Sequence, residues 1–394
     1  MLLKNGMKIS KNYKVLILSH FYKRTASGGG PPQEIRDFFL PKVETISYIE
    51  HPFPYSDDHR SSLSIYKNGK LEKQILAPPI YGPEFLYYIF DIVYTFYFYI
   101  RSPFKYDLCV ALDNLNTFSV LPFRKLNLIK SLVYYTIDYT PFRFKNGFLN
   151  SIYHFIDRVA CYNADAIWVL SPRMIGARRK NGVNPKKSAP SIILPMGARL
   201  ESIKVLPINK INRHQIVFVG ALLEKQGLQI VLEAMPEIIK KVPDVKLLVI
   251  GKGEYENKLK ELVKKFKISN YVEFKGFIKD HRDVESLLCK SAVAVAPYVD
   301  NPANYTRYTD PGKPKLYLGC GLPVIITDVP QIARVIKSKK AGIITAYNSN
   351  SFAESIIKLL SNDELYNEYR ENAIKLSKNY NTNTLIEAAL NKTS

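Results

Sequence analysis

The chain has 394 residues, of which 46% are hydrophobic and 12% aromatic, and its formal net charge is +21. This length and apolar content predict two domains with buried cores and exclude a disordered or collagen-like chain. The positive charge indicates an anionic partner but does not choose between nucleic acid, anionic lipid and a phosphorylated substrate.

The sequence predicts neither a secretory signal nor a membrane-spanning helix. The first apolar run, residues 15–18, is too short for the core of a signal peptide, and no stretch of roughly 18 or more apolar residues follows. The four cysteines are far apart and lack the paired spacing of metal ligands. We therefore expect a protein of the reducing cytoplasm that binds no metal.

The first half of the chain alternates short apolar runs with amphipathic segments. This pattern is typical of buried parallel strands and the helices that cover them. In chain order, strands are predicted over residues 14–19, 45–49, 107–112, 131–137 and 166–170. Helices are predicted over residues 32–40, with a proline in the first turn, and over residues 150–164.

The second half repeats the alternation more regularly. Strands are predicted over residues 215–219, 246–250, 271–274, 292–296 and 324–327, with helices over 229–240, 256–266 and 283–290. Together the two halves predict an α/β fold of two Rossmann-like, doubly wound parallel-sheet domains.

The irregular segment 196–213 separates the two halves and sets the predicted domain boundary. We predict an N-terminal domain over residues 1–203 and a C-terminal domain over residues 204–379. A tail or helix over residues 380–394 could pack back on the first domain.

Candidate ligand contacts follow the strands of the second half, because doubly wound sheets bind ligands outside the carboxyl ends of their strands. Four such segments contain Gly220 with Lys225, Gly251 with Gly253, Pro297, and Asp310 with Gly312 and Lys313. Glycines permit close backbone approach, and lysines at a helix N-terminus can bind a diphosphate. Each segment alone is better explained by a tight turn or a solvated lysine, but four together favour a diphosphate site.

These segments resemble glycosyltransferase family 4, within the GT-B superfamily. The similarity covers roughly residues 216–342 and rests on FVGALLEKQGLQIVLEA, LLVIGKGE, VEFKGFI and DPGKPKLYLGCGLPVIITD. The resemblance implies GT-B architecture, in which two Rossmann-like domains face a central cleft. It also implies that the second domain, residues 204–379, binds a nucleotide-diphosphate sugar with its nucleobase near Phe277 and Ile278, and that the first domain, residues 1–203, binds the acceptor. The implied reaction is a retaining, metal-independent transfer to a saccharide or lipid-linked acceptor.

Two positions depart from the family pattern. Ala221 stands where members usually carry an arginine beside the phosphate lysine, and Leu316 stands where they carry a glutamate that binds the ribose hydroxyls. Asp310 is the nearest carboxylate and the expected substitute. A glycosyltransferase is therefore the expected function. A sugar-nucleotide epimerase on the same fold and a non-catalytic glycosyltransferase-like partner subunit remain alternatives.

Candidate catalytic residues follow strands of the first half. Asp113 and Asp138 each come directly after a predicted strand, where a carboxylate could orient an acceptor hydroxyl or take its proton. Helix capping or a turn hydrogen bond is the alternative role for each. His20 follows the first predicted strand and is a third candidate. The loop after it could approach the sugar and the diphosphate, or be a flexible surface loop, and it contains Gly28, Gly29 and Gly30.

Residues 84–100 carry nine aromatic side chains and one aspartate, and the segment is too short and too polar to span a membrane. Either it lies at an anionic membrane surface on the inner face of the cell membrane, or it is an ordinary buried helix. Basic runs at residues 178–180 and 186–187 favour the membrane, because anionic lipid attracts them. A nucleic-acid partner is not expected, because no nucleic-acid-binding module is recognisable.

Overall fold

The computed structural model describes residues 6–22, 30–102, 105–144, 146–301 and 305–393. The chain forms two compact units. The first extends to Pro195 and includes the residues from Asn383 onward, and the second comprises Met196–Thr382. The sequence predicts the domain boundary between residues 203 and 204. In the structure the boundary along the chain falls eight residues earlier, between Pro195 and Met196.

The first unit is built on an eight-stranded sheet. Its strands are β1 (Lys14–Phe21), β2 (Thr45–Pro52), β3 (Arg60–Lys67), β4 (Lys70–Pro79), β5 (Tyr106–Leu112), β6 (Ile129–Thr136), β7 (Ala166–Val169) and β8 (Ser191–Ile193). They lie in the order β4-β3-β2-β1-β5-β6-β7-β8, and only the pairings β2–β3 and β3–β4 are antiparallel. Strand order reverses between β1 and β5, and such a switch point is where doubly wound sheets bind ligands.

Five helices accompany these strands up to Pro195. They are α1 (Pro31–Phe39), α2 (Glu84–Ile100), α3 (Asn114–Lys125), α4 (Gly147–Asn163) and α5 (Pro172–Lys180). A core of apolar side chains from β1, β2, β5 and β6 packs against buried residues of α2 and α3. Because α2 buries only one side, its other side faces solvent.

The second unit is built on a six-stranded, all-parallel sheet in the order β11-β10-β9-β12-β13-β14. The strands are β9 (Gln215–Val219), β10 (Lys246–Ile250), β11 (Val272–Gly276), β12 (Val293–Ala296), β13 (Val324–Ile326) and β14 (Gly342–Ile344). The helices are α6 (Leu228–Lys241), α7 (Glu256–Lys265), α8 (His281–Cys289), α9 (Gly312–Gly319), α10 (Ile332–Ser338), α11 (Ser349–Leu360) and α12 (Asp363–Ser377).

Helices cover both faces of this second sheet. Alternate residues of β9 enter separate cores: Ile216 and Phe218 pack with α6 and α11, whereas Val217 packs with α8 and α10. This arrangement explains why the strands of the second half read as continuous apolar runs. The predicted fold class, two doubly wound α/β parallel-sheet domains, is confirmed.

The hairpin of β3 and β4 was not predicted from the sequence. Both strands are rich in polar residues, and β4 is largely exposed at the sheet edge. A turn signal was present, because Asn68 and Gly69 join the strands with positive φ angles of 47° and 79°. Asn-Gly is the preferred pair for such two-residue turns. The short strands β8 and β14 were also not predicted.

The C-terminal helix α13 (Thr382–Lys392) contributes to the first unit from Asn383 onward. Leu390 is buried, and Thr393 accepts a hydrogen bond from the indole nitrogen of Trp168 at 3.1 Å. No helix in the described ranges combines the length and apolar character needed to cross a membrane.

Replacing Leu390 by Ala should lower the free energy of unfolding of the first unit by about 2–5 kcal/mol, because it leaves a cavity in a packed interior. Trp168 is the only tryptophan of the chain, so its fluorescence during urea unfolding measures this loss directly. The exposed neighbour Lys392→Ala should change stability by less than about 0.5 kcal/mol. Equal unfolding midpoints for the two variants would contradict the packing of α13 on the first unit.

Candidate active site

The switch point of the first sheet brings together one histidine and two aspartates. His20 lies within β1, because this strand extends to Phe21 rather than ending at residue 19 as predicted. Its Nδ1 is 2.7 Å from Oδ2 of Asp113, and its Nε2 is 2.9 Å from Oδ2 of Asp91. The ring stacks on Phe53 with centroids 4.9 Å apart. Both ring nitrogens of His20 are therefore engaged by carboxylates.

The electrostatics of this cluster favour a charged His20. Burial acts to lower the pKa of His20, but the charges and hydrogen bonds of Asp113 and Asp91 outweigh it and raise this pKa to about 10. Burial raises the pKa of Asp91, against the opposing charge of His20. The neighbouring His51 is neutral at physiological pH, because burial and the charge of His20 hold its pKa well below the usual range.

Asp113 caps a helix and also exposes part of its carboxylate to solvent. Its Oδ1 caps α3 by accepting a hydrogen bond from the backbone N–H of Asn116 at 2.9 Å. Its backbone has φ 87° and ψ 169°, a region that residues other than glycine rarely occupy. Nevertheless 38% of its side chain remains exposed. Helix capping, the alternative role, is thus observed, and it holds a partly accessible carboxylate at the switch point.

The structure places the other candidates of the first unit separately. Asp138 is exposed two residues beyond β6, and the guanidinium of Arg143 interacts with it electrostatically. Since β5 lies between β1 and β6, Asp138 follows a different strand end from the one that carries His20. Gly30 precedes α1 as its N-cap residue. Gly28 and Gly29 lie outside the described residues. Catalytic roles for these residues stay predictions.

The second unit presents the amine of Lys313 at the switch point of its own sheet, where strand order reverses between β9 and β12. Lys313 Nζ donates to the side-chain oxygen of Gln226 and lies 4.9 Å and 5.2 Å from the ring centroids of Phe218 and Tyr298. Desolvation lowers the pKa of Lys313 to about 7. Among the described residues no carboxylate pairs with this amine.

Three glycines of the second unit stand where a larger side chain would clash, and one of them, Gly220, lies against the amine of Lys313. Gly220 has φ 147°, and a Cβ there would stand 2.7 Å from Lys313 Nζ. Gly251 has φ 138°, and a Cβ on it would meet the Gly220 carbonyl oxygen at 1.9 Å. A Cβ on Gly253 would meet the Leu222 oxygen at 2.2 Å. The glycine turns after β9 and β10 therefore pack against each other, which accounts for these glycines independently of any ligand.

The loop after β9 contains Gln226, whose side-chain oxygen accepts the hydrogen bond from Lys313. Gln226 was not predicted from the sequence as a site residue. Lys225 next to it is half-buried, and its carbonyl accepts a hydrogen bond from Val299 N–H at 3.2 Å. Phe277 follows β11 with 69% of its side chain exposed, whereas Ile278 packs partly on the core. Pro297 follows β12. Ligand contacts by these residues stay predictions.

Asp310 is engaged in a buried ion pair. It pairs with Lys315 and accepts a hydrogen bond from Met196 N–H at 3.1 Å, and only 6% of Asp310 is exposed. Lys315 also donates to the Pro311 carbonyl oxygen at 2.9 Å. Burial lowers the pKa of Lys315 and raises the pKa of Asp310, while each charge opposes the shift of the other. A ribose at Asp310 would have to displace one of these partners, so ribose binding by Asp310 stays a prediction.

The comparisons with known proteins agree with the expected family. Residues 213–362 match the family model described as glycosyl transferases group 1. The putative colanic acid biosynthesis glycosyltransferase WcaL of Escherichia coli is 22% identical over 253 residues, which are 63% of this chain and 60% of that protein. The matches cover between 25% and 60% of the length of the first curated relatives.

Solved structures extend the similarity of fold to nearly the whole chain. HepE of Anabaena in complex with UDP superimposes with a TM-score of 0.68 at 13% identity, covering 95% of this chain and 98% of HepE. WaaG, a glycosyltransferase involved in lipopolysaccharide biosynthesis, gives a TM-score of 0.65 at 17% identity, with 96% and 99% covered. At these identities the likeness establishes the fold alone, and it confirms the predicted GT-B class.

Replacing Asp310 by Asn should destabilise the second unit by about 3–5 kcal/mol, because it leaves the charge of Lys315 buried without a counter-charge. Chemical unfolding measures the loss. The double variant Asp310→Asn/Lys315→Met should recover most of it, since it removes the orphaned charge as well. A stable Asp310→Asn variant that merely binds donor less tightly would contradict the structural role and favour ribose binding.

Proposed function

We propose that this chain, whose residues 213–362 match the family model of glycosyl transferases group 1, transfers a sugar from a UDP- or GDP-linked donor to a saccharide or lipid-linked acceptor. The transfer would serve the synthesis of a cell-surface polysaccharide or glycolipid. Two of the similar proteins are named for colanic acid and lipopolysaccharide biosynthesis, which supports this setting. They favour neither the epimerase nor the non-catalytic partner subunit.

The observation that carries the proposal is the uncompensated amine of Lys313. No carboxylate of the described ranges pairs with this lysine, which lies at the carboxyl ends of parallel strands and is therefore suited to an anionic ligand that supplies the missing charge. The first turn of α9, in which Lys313 lies, adds backbone N–H groups that favour the same charge. HepE was solved with UDP, and a nucleoside diphosphate is the matching ligand proposed for this chain.

In the proposed reaction the acceptor hydroxyl oxygen bonds to the anomeric carbon of the donor sugar. The bond from that carbon to the diphosphate oxygen breaks, and its electron pair leaves with the diphosphate, which also receives the hydroxyl proton. Lys313 and the α9 N-terminus stabilise the growing negative charge, so the chemistry requires no divalent metal. Retention at the anomeric carbon is the outcome that the family resemblance implies.

We assign the acceptor side of the reaction to the first unit. Asp113 offers a fixed and partly exposed carboxylate that can accept a hydrogen bond from the acceptor hydroxyl. That hydrogen bond would orient the hydroxyl toward the sugar and raise the effective concentration of the nucleophile. His20 supports Asp113 from the buried side.

We further propose that the first unit binds peripherally to the inner face of the cell membrane. One side of α2 is buried, but Phe85, Ile89 and Val93 on the other side are each about half exposed. On α4, Phe148 and Phe155 are exposed in the same way. An ordinary buried helix would not display such rows of apolar side chains.

Basic side chains of the same unit complement this apolar surface. Arg179, Lys180, Lys186 and Lys187 are exposed and would be attracted to anionic lipid. Arg178 does not contribute, because it is buried and paired with Asp157 at 2.9 Å. The predicted basic run 178–180 therefore has two exposed members rather than three.

Lys313→Ala should reduce kcat/KM for sugar transfer by roughly 10²–10³-fold, because it removes a charge that stabilises the leaving diphosphate. Donor affinity of the wild type should fall as the pH rises above about 7, since the Lys313 amine must then take up a proton to pair with the diphosphate. Calorimetry in buffers of different ionisation enthalpy measures this proton uptake.

Lys246→Ala provides the matched control, because Lys246 is an exposed lysine at the amino end of β10. This variant should keep wild-type transfer, affinity and proton uptake. Screening UDP- and GDP-sugars by thermal shift identifies the donor before these measurements. If no donor binds, or if a folded Lys313→Ala variant transfers sugar at the wild-type rate, the assignment is wrong.

Ile89→Glu should weaken sedimentation of the protein with vesicles that contain anionic phosphatidylglycerol, because it places a charge in the apolar surface of α2. The wild type should bind these vesicles at low salt and dissociate at high salt. Leu71→Glu is the control, since Leu71 is 54% exposed on the edge strand β4. Equal retention of both variants, or no retention of the wild type, would refute membrane binding through α2.

A further inference from the structure

His20 carries no nitrogen that is free to accept a proton. Oδ2 of Asp113 lies 2.7 Å from Nδ1, Oδ2 of Asp91 lies 2.9 Å from Nε2, and only 10% of the His20 side chain is exposed. An ionised carboxylate is acceptor-only, so each ring nitrogen that faces one must donate. His20 is thus suited to hold other groups in place rather than to act as a base.

The buried position of the Asp91 carboxylate is energetically unfavourable. Only 2% of its side chain is exposed, in the middle of a helix whose other residues are mostly aromatic or aliphatic. Its Oδ1 has no hydrogen-bond partner among the described residues. A buried carboxylate with one unsatisfied oxygen destabilises a fold unless its charge is compensated. Among the described residues two imidazole rings face Asp91. Nδ1 of His51 lies 3.5 Å from Asp91 Oδ1, but burial and the charge of His20 hold the pKa of His51 well below its usual range. The charge of Asp91 is therefore compensated by the imidazolium of His20.

In the described part of the chain, which leaves out residues 23–29, the remaining neighbours of His20 add no second charge. His51 on β2 has its ring centroid 5.9 Å from that of His20, and it bonds Ser61 at 2.9 Å and Thr95 at 3.0 Å. Burial and the charge of His20 hold the pKa of His51 well below its usual range, so it stays neutral. Asn116 on α3 contributes a neutral amide. The cluster therefore consists of one imidazolium between two carboxylates.

The two carboxylates differ in accessibility. Asp91 is buried, whereas 38% of the Asp113 side chain is exposed. Asp113 Oδ2 receives hydrogen bonds from His20 and from the Asn116 side chain, and its Oδ1 receives one from the Asn116 backbone. These contacts fix the Asp113 carboxylate against a strained backbone and leave part of it open to a ligand.

We propose that Asp91 is the positioning residue of this site. It occupies Nε2 of His20 and thereby keeps the Nδ1–H of His20 directed at Asp113, which meets the acceptor. His20, one of the candidates predicted as catalytic, then acts through Asp113. The part played by Asp113 rests on the proposed glycosyl transfer, whereas the state of His20 does not.

Asp91→Asn tests the proposal, because the amide can keep the hydrogen bond to Nε2 while removing the charge. The chain has six histidines, so the ring nitrogens of His20 can be assigned and followed by nuclear magnetic resonance across pH. In the wild type both nitrogens should stay protonated through neutral pH. In Asp91→Asn the titration of His20 should move down by more than about one pH unit.

The same variant should change the pH profile of sugar transfer. Wild-type kcat should not fall through deprotonation of His20 below about pH 9. Asp91→Asn should acquire a falling limb in the neutral range and should recover to within about threefold of the wild-type rate under mildly acidic conditions. A residue that only supports the fold would lower the rate equally at every pH.

Tyr87→Phe is the matched control. Tyr87 lies one turn before Asp91 on the same buried side of α2, and its hydroxyl bonds Ile80 and His59 rather than His20. This variant should keep the wild-type titration of His20 and the wild-type pH profile. It separates general damage to the buried side of α2 from loss of the Asp91 charge.

Two results would overturn the proposal. The first is a wild-type His20 that titrates near the ordinary histidine pKa, a measurement that needs no variant. The second is an Asp91→Asn variant in which the titration of His20 is unchanged. If no donor and acceptor support sugar transfer, the proposed function fails, but the titrations of His20 still decide whether Asp91 holds its charge.

Discussion

A lysine that is removed from water must either pair with an anion or have its pKa lowered. Helix α9 contains one lysine of each kind, Lys315 and Lys313, two residues apart. Lys315 is fully buried and pairs with Asp310. Lys313 has no carboxylate partner among the described residues, and desolvation lowers its pKa to about 7. The first lysine is thus part of the structure of the second unit. The second lysine is held in a state that an anionic ligand would stabilise, and the donor side of the proposed reaction depends on this difference.

The need to compensate a buried charge also explains the position of Asp91 on α2 in the first unit. Its buried side carries Asp91 to His20, and this placement is stable because the two charges compensate each other. Its exposed side carries Phe85, Ile89 and Val93. One helix therefore contributes to the proposed acceptor site through Asp91 and to the proposed membrane surface through this exposed row. A helix chosen only for packing would need neither the buried charge nor the exposed row.

Local patterns in the sequence were sufficient for the fold but not for the site. Continuous apolar runs identified β1, β5 and the central strands of the second unit, because strands buried on both faces tolerate little else. Strand β3 and the edge strand β4 are rich in polar residues, so the Asn-Gly turn at residues 68–69 was their only clear signal. In the site, the partners of His20 lie 71 and 93 residues away, and Gln226 lies 87 residues from Lys313. Such pairs are not visible in local periodicity, although a lone aspartate in an aromatic helix is a signal for a buried charge.

The departure from the family pattern at Leu316 has a structural counterpart in the second unit. Leu316 is half-buried and packs against the core around α8 and α10, and the adjacent Lys315 draws Asp310 into the interior. The carboxylate nearest to the family's ribose position is therefore engaged in holding the loop before α9, through Met196 N–H and Lys315. If α9 binds a donor, the attraction must come from its first turn and from Lys313. Recognition would then rest on the diphosphate, which every nucleotide-diphosphate sugar shares, and discrimination between donors would depend on the base and the sugar.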